Sequence, residues 1–172
     1  MRDAIGARDY WRLPAGPANA ISDVAGVLVG HASLRGEGIC TGVTAVLPHG
    51  GDLFRNPVPA GAAVLNGFGK SLGLVQLTEL GEIETPILLT NTFGVPACAS
   101  ALIRRAIAQN DRIGRQDSTV NPLVLECNDG KVNDIQRLAV TEADAMAAID
   151  NAGTSFDQGT VGAGSGMTTF DF

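Results

Sequence analysis

Pro86-Ile87-Leu88-Leu89-Thr90-Asn91 is the stretch on which the fold reading turns. It is short and almost wholly apolar, which is the pattern of a strand buried on both faces rather than of an alternating surface strand. The period then changes. Between 96 and 110, Leu102, Ile103, Ala106 and Ile107 fall on one side and Arg104 and Arg105 on the other, which predicts an amphipathic, Ala-rich helix. A second apolar run, Pro122-Leu123-Val124-Leu125-Glu126-Cys127, follows that helix and stops at Asn128-Asp129-Gly130, which has the chemistry of a turn. Buried strands separated by a helix indicate an α/β protein with covered sheet layers.

Upstream, Ala60-Gly61-Ala62-Ala63-Val64-Leu65 reads as another buried strand, ended sharply by Asn66-Gly67-Phe68-Gly69. From 70 to 80, Leu72, Val75, Leu77 and Leu80 recur at roughly helical spacing and Gly81 offers a C-terminal cap. Still earlier, Gly26-Val27-Leu28-Val29-Gly30-His31 and Thr41-Gly42-Val43-Thr44-Ala45-Val46-Leu47 are β-rich runs joined as in a hairpin, and 48–59 is a loop. Downstream, Thr141-Glu142-Ala143-Asp144 is close to a capping box, so a helix runs from there to about Ala152 and Gly153 ends it. Residues 161–172 read as a last, glycine-rich strand. With no repeat and no dividing linker, 1–172 is expected to be a single domain built as an α/β sandwich.

Composition narrows the function. The chain is 45% hydrophobic and 17% charged, which favours a large core over disorder. A net charge of -6 gives nucleic-acid phosphates no cationic patch to bind. No run approaches the ~20 apolar residues that span a bilayer, and the N-terminus has no signal-peptide core, so no membrane is expected and the cytoplasm is the default. Cys40, Cys98 and Cys127 are an odd number without metal spacing and are read as buried free thiols.

Several chemistries lack their residues. His31 and His49 are the only histidines, and neither has a ligand partner at helical spacing, so no metal site is expected. No G-x-S-x-G elbow precedes a helix to build a serine triad. Gly162-Ala163-Gly164-Ser165-Gly166 lacks the Lys-Ser/Thr of a P-loop; close approach of this backbone to another backbone or to a substrate explains it better. No cofactor is implied. Three polar clusters each lie just past a predicted buried strand, where ligand sites gather: Asn66 to Gly69, Asn91-Thr92, and Asn128-Asp129 with Asn133-Asp134. Each Asn could simply satisfy a turn; an Asn side chain could equally donate N–H to a developing oxyanion.

At this point the sequence resembles the L-aminopeptidase/D-esterase family, which includes the β-peptidyl aminopeptidases. The likeness is carried by Asn19-Ala20-Ile21-Ser22-Asp23-Val24-Ala25-Gly26-Val27 with Val29-Gly30-His31, by Thr41-Gly42-Val43-Thr44, and by Val64-Leu65-Asn66-Gly67-Phe68-Gly69-Lys70. It continues through Leu89-Thr90-Asn91-Thr92, Glu126-Cys127-Asn128-Asp129-Gly130, Asn133-Asp134-Ile135 and Val161-Gly162-Ala163-Gly164-Ser165-Gly166-Met167. The resemblance implies a four-layer αββα sandwich, similar to the N-terminal-nucleophile (Ntn) hydrolases with different strand connectivity. It implies a precursor that cuts itself before a serine, this chain being the α subunit and the nucleophile leading a β subunit beyond Phe172. The activity implied is that of an aminopeptidase or amidase on small peptides, amides or esters; the same nucleophile would also serve an acyltransferase, and a non-catalytic binding protein is the remaining alternative. Carried over, Asn133 is the side-chain oxyanion donor with Asn128 as fallback, and Asn66, Gly67, Phe68, Gly69, Lys70, Asn91 and Thr92 are the substrate pocket. A homo-oligomer of αβ units is expected.

One departure stands out. Where many relatives carry an acid after Asn-Gly-x-Gly, suited to a substrate's ammonium, this chain has Lys70. A cation there would repel an amine and could hold a carboxylate instead; alternatively Lys70 opens a helix and faces solvent.

Overall fold

The computed structural model describes residues 13–65 and 67–168. Its centre is a mixed four-stranded sheet in the order β1-β2-β5-β6. Strands β1 (Leu28–Gly36) and β2 (Ile39–Leu47) form an antiparallel hairpin closed by the two residues Glu37-Gly38, with Gly38 at φ +69°. Glycine takes that left-handed conformation without a Cβ clash, which keeps the turn tight. β2 pairs antiparallel with β5 (Ile87–Asn91), and β5 pairs parallel with β6 (Leu123–Cys127) across the helix α2 (Val95–Gln109). Parallel neighbours need such a crossover, and α2 supplies it.

Side chains alternate along each strand, so the sheet has two distinct faces. One carries Val43, Ala45, Leu47, Leu88 and Val124 and packs against Val95, Cys98, Ala99, Ala101 and Leu102 of α2 and Ala145, Ala148 and Ile149 of α3 (Glu142–Asp150). Gly30 lets α3 lie directly on β1: a Cβ there would sit 2.2 Å from the Ala148 carbonyl. α3 starts at the expected capping box, Thr141 accepting from the Asp144 N–H while Asp144 accepts from the Thr141 N–H. The opposite face is partly covered near its β6 edge by α1 (Leu74–Leu80), through Leu77, Ile83, Leu123 and the flanking Ile87 and Leu125. A small two-stranded sheet, β3 (Val58–Pro59) with β4 (Glu82–Ile83), lies beside α1.

The α/β class is therefore as the sequence indicates, and both apolar runs that flank α2 are strands. Four local readings need correction. Residues 60–65 are not a buried strand: they are irregular, Ala60 is half-buried against the Leu77 cluster, and 61–65 are exposed, Leu65 fully, because no element among the described residues covers them. The helix expected over 70–80 starts only at Leu74, since Leu72 exchanges both backbone hydrogen bonds with Val124 and keeps the preceding residues extended along the β6 edge. Gly153 is not the stop of α3. That helix ends at Asp150, and Gly153 pairs instead with Val29. Within 161–168 there is a 3-10 turn, Gly162–Gly164, in place of a strand, and Gly162 at φ +53° is incompatible with extended backbone; residues 169–172 lie outside those described.

The thiols also separate. Cys98 is buried, and desolvation pushes its pKa up to about 12, with a Thr90 hydrogen bond opposing; Cys40 is half-buried and Cys127 exposed, so only the first fits the expectation of buried thiols fully. No helix among the described residues is long and apolar enough to cross a membrane.

Candidate active site

The open face of the sheet holds a cavity of about 500 Å³. Its floor is Val29, Val46, Leu89 and Leu125, alternating residues of four strands, with the polar pair His31 and Thr44 beside them. One wall is a strap of chain, 156–164, and the rim opposite carries Glu126 and Cys127 at the C-terminal end of β6. Ligands in α/β proteins collect at that end of parallel strands, where loops diverge.

Glu126 is the residue around which the sequence-predicted positions assemble. Its Oε1 accepts the Lys70 backbone N–H at 2.7 Å, and its Oε2 accepts the Thr92 hydroxyl at 2.5 Å. The antiparallel bridge of Leu72 to Val124 explains the first contact, since two residues further out along both chains Lys70 faces Glu126. The second follows from the parallel register, which places Thr90 beside Glu126 and so brings Thr92 over it. Both donors are neutral, and among the described residues no Lys or Arg forms an ion pair with this carboxylate. An ionised carboxylate offers about four lone-pair sites, so two neutral donors leave it able to receive a cation.

Lys70 is exposed, as the solvent-facing reading has it, but it does not open the helix. It precedes α1, and its Nζ folds back to donate to the Phe68 carbonyl at 2.6 Å, 3.5 Å above the Phe68 ring. Gly67, Phe68 and Gly69 form the exposed turn that carries it, whereas Asn66 lies outside the described residues. Asn91 is buried, its amide donating to Thr41 Oγ1 and accepting from the Gly94 N–H, which fixes the turn into α2 and thereby Thr92.

Of the two asparagines expected to donate to an oxyanion, Asn128 is exposed next to the cavity residue Cys127, its Oδ1 accepting from the Gly130 N–H in a tight turn. Asn133 is buried. It accepts from the Cys40 N–H and donates to Asp129 Oδ1, tying the 129–133 turn to β2. Partial desolvation raises the pKa of the exposed Cys127 thiol, and the Glu126 charge raises it further. Among the described residues no three His, Cys, Asp or Glu side chains converge as metal ligands.

Sequence reading missed Glu126 as a site residue, placing it only within a strand and a resemblance block. The available signal was a single acid near the end of an otherwise apolar strand, next to a turn.

Comparison with known proteins places these features in context. Residues 19–172 match the model of peptidase family S58. A β-peptidyl aminopeptidase of Sphingosinicella microcystinivorans is 38% identical over 167 residues, 91% of this chain and 41% of that protein. Among solved structures, a protein of Pyrococcus horikoshii OT3 superposes with TM-score 0.89 at 46% identity, covering 92% of this chain and 48% of that one. The L-aminopeptidase D-Ala-esterase/amidase of Ochrobactrum anthropi, described as a prototype of the serine aminopeptidases and a new variant among the Ntn hydrolase fold, gives 0.83 at 33% identity, covering 96% of this chain and 50% of that one. The chain thus spans about half the length of the relatives it matches, or less.

Proposed function

This chain belongs to peptidase family S58, and from that premise we propose that it forms the N-terminal, substrate-receiving part of a self-processing serine aminopeptidase or amidase. The observation that carries the proposal is Glu126: a carboxylate held by two neutral donors on the rim of an apolar cavity is suited to the free ammonium of a peptide, amide or ester substrate. A charge-assisted hydrogen bond of this kind contributes about 1.5–3 kcal/mol. It also answers the difficulty raised by Lys70. The acid comes from β6, and the Lys70 side chain is turned away onto Phe68.

The nucleophile in this reading is a serine at the head of a β subunit cut from the same precursor. An N-terminal α-amine has a pKa of about 8, low enough to take the hydroxyl proton near neutral pH, so no histidine base is needed. The carbonyl of the bound substrate then needs an N–H donor for its developing charge. Asn128, exposed beside the cavity, suits that part, with Asn133 holding the turn on which Asn128 sits. The Lys70 backbone and Thr92 hold Glu126 in place, and the turn Gly67 to Gly69 flanks it on the substrate side.

Exposed apolar side chains at Val64, Leu65, Phe68 and Val75 support burial against the β subunit and further αβ copies. Three unpaired thiols are in keeping with a cytoplasmic enzyme.

Intact mass and N-terminal sequencing of the purified full-length protein test the proposal. Two chains are expected, the smaller beginning with serine. A single uncut polypeptide that also fails to hydrolyse an aminoacyl p-nitroanilide would refute it.

A further inference from the structure

The open faces of β1 and β2 carry a polar ladder that the proposed chemistry does not use. His31, Ser33 and Arg35 occur at every second position of β1 and therefore point the same way. Each reaches the strap: His31 Nε2 meets the Asp157 carbonyl at 3.0 Å, Ser33 Oγ accepts the Gly162 N–H at 2.7 Å, and Arg35 Nη2 donates to the Thr160 carbonyl at 2.5 Å. Thr44, directly across from His31, accepts the Ala163 N–H at 3.1 Å.

His31 grips both the strap and the sheet through its two ring nitrogens, and the sheet residue it meets, Thr44, itself holds the strap. A carbonyl can only accept, so Nε2 carries the proton toward Asp157. Nδ1 is then free to accept the Thr44 hydroxyl at 2.9 Å, and that same oxygen receives Ala163. One neutral imidazole tautomer thus satisfies the whole chain of contacts from Asp157 through the ring to Ala163. Close packing reinforces it, because a Cβ on Gly162 would lie 2.4 Å from Thr44 Oγ1 and 2.6 Å from His31 Nδ1. The imidazole is also 6.1 Å, centroid to centroid, from the Phe156 ring at the start of the strap.

We infer that His31 is a positioning residue: through Thr44 and the Asp157 carbonyl it fixes the 156–164 strap and so sets the width of the cavity that receives the substrate. The inference rests on the reading of that cavity as the substrate site. Its consequence is a binding effect rather than a chemical one, since His31 and the strap line the same cavity as Glu126 and shape it without carrying a reacting group. Losing one such hydrogen bond is expected to raise KM about fivefold while kcat changes less than about twofold.

The test uses the full-length protein and the variants His31→Ala, His31→Gln and Thr44→Val, with two independent readouts. Amide hydrogen exchange over 157–164 is expected to accelerate in His31→Ala and Thr44→Val, with β5 and α2 unchanged, and to be partly restored by Gln, whose amide can donate to Asp157. KM for an aminoacyl p-nitroanilide should rise in the same order. Unchanged exchange in the strap would overturn the inference, as would faster exchange with KM and kcat both unaltered. If the parent enzyme hydrolyses nothing, the hydrolase reading fails while exchange still decides whether His31 holds the strap. Should His31→Ala fail to fold, Thr44→Val and His31→Gln carry both measurements.

Discussion

The two faces of the central sheet are made by the same four strands and differ in almost everything else. The covered face presents Val43, Ala45, Leu88 and Val124, all fully buried against α2 and α3, and its polar residues Thr41 and Thr90 are buried with them. The open face interleaves Val29, Val46, Leu89 and Leu125 with His31, Ser33, Arg35 and Thr44, and it holds a cavity, with the short α1 covering only its β6 edge. A period of two lets one strand bury one row of side chains in the core and present the next row to a cavity. Leu88 and Leu89 are adjacent in sequence and belong to different problems.

That contrast can be broken most severely at this pair. Leu88→Ala should cost about 2–5 kcal/mol of stability by opening a hole in the helix-covered core, and Leu89→Ala, at the cavity floor, clearly less. Denaturant melts of both variants check this, and equal losses would mean that the open face is as tightly packed as the covered one. Gly162→Ala sharpens the comparison at the strap. Its Cβ would meet Thr44, His31 and the Val43 carbonyl below 3 Å at a positive φ, so a loss of about 1–3 kcal/mol is expected together with a higher KM. A variant as stable as the parent would show that the strap lies away from the sheet in solution. The smallest effect belongs to the covered side. Thr141→Ala removes the cap of α3 and should cost about 1 kcal/mol, with kcat/KM unchanged.

Legibility followed how local the determinants are. The capping box at Thr141 and Asp144, the hairpin between the 26–31 and 41–47 runs and the apolar strands around α2 are specified by residues close in sequence and could be read directly, although the hairpin strands run on to Gly36 and Ile39. Residues 60–65 misled because small apolar side chains have the pattern of a doubly buried strand, whereas burial depends on whichever element covers them. The glycines of 161–166 signalled close backbone approach correctly but not the conformation: Gly42 and Gly162 let the strap lie against β2, and a positive φ turns it away from a strand. Glu126 was harder to find because its role comes from two registers at once, the bridge from Leu72 and the parallel pairing with β5. Neither register is encoded near residue 126. Resemblance supplied the neighbourhood, naming Lys70 and Thr92, and the structure supplied the carboxylate between them.

Everything proposed for substrate recognition depends on that carboxylate meeting a free ammonium. The direct measurement is kcat/KM of the full-length enzyme and its Glu126→Gln variant on an aminoacyl p-nitroanilide and on the N-acetylated form of the same compound. The parent should prefer the free amine, and Glu126→Gln should lower kcat/KM for that substrate about 10- to 100-fold while leaving the acetylated one unchanged. An equal loss on both substrates, or none on either, would contradict the account.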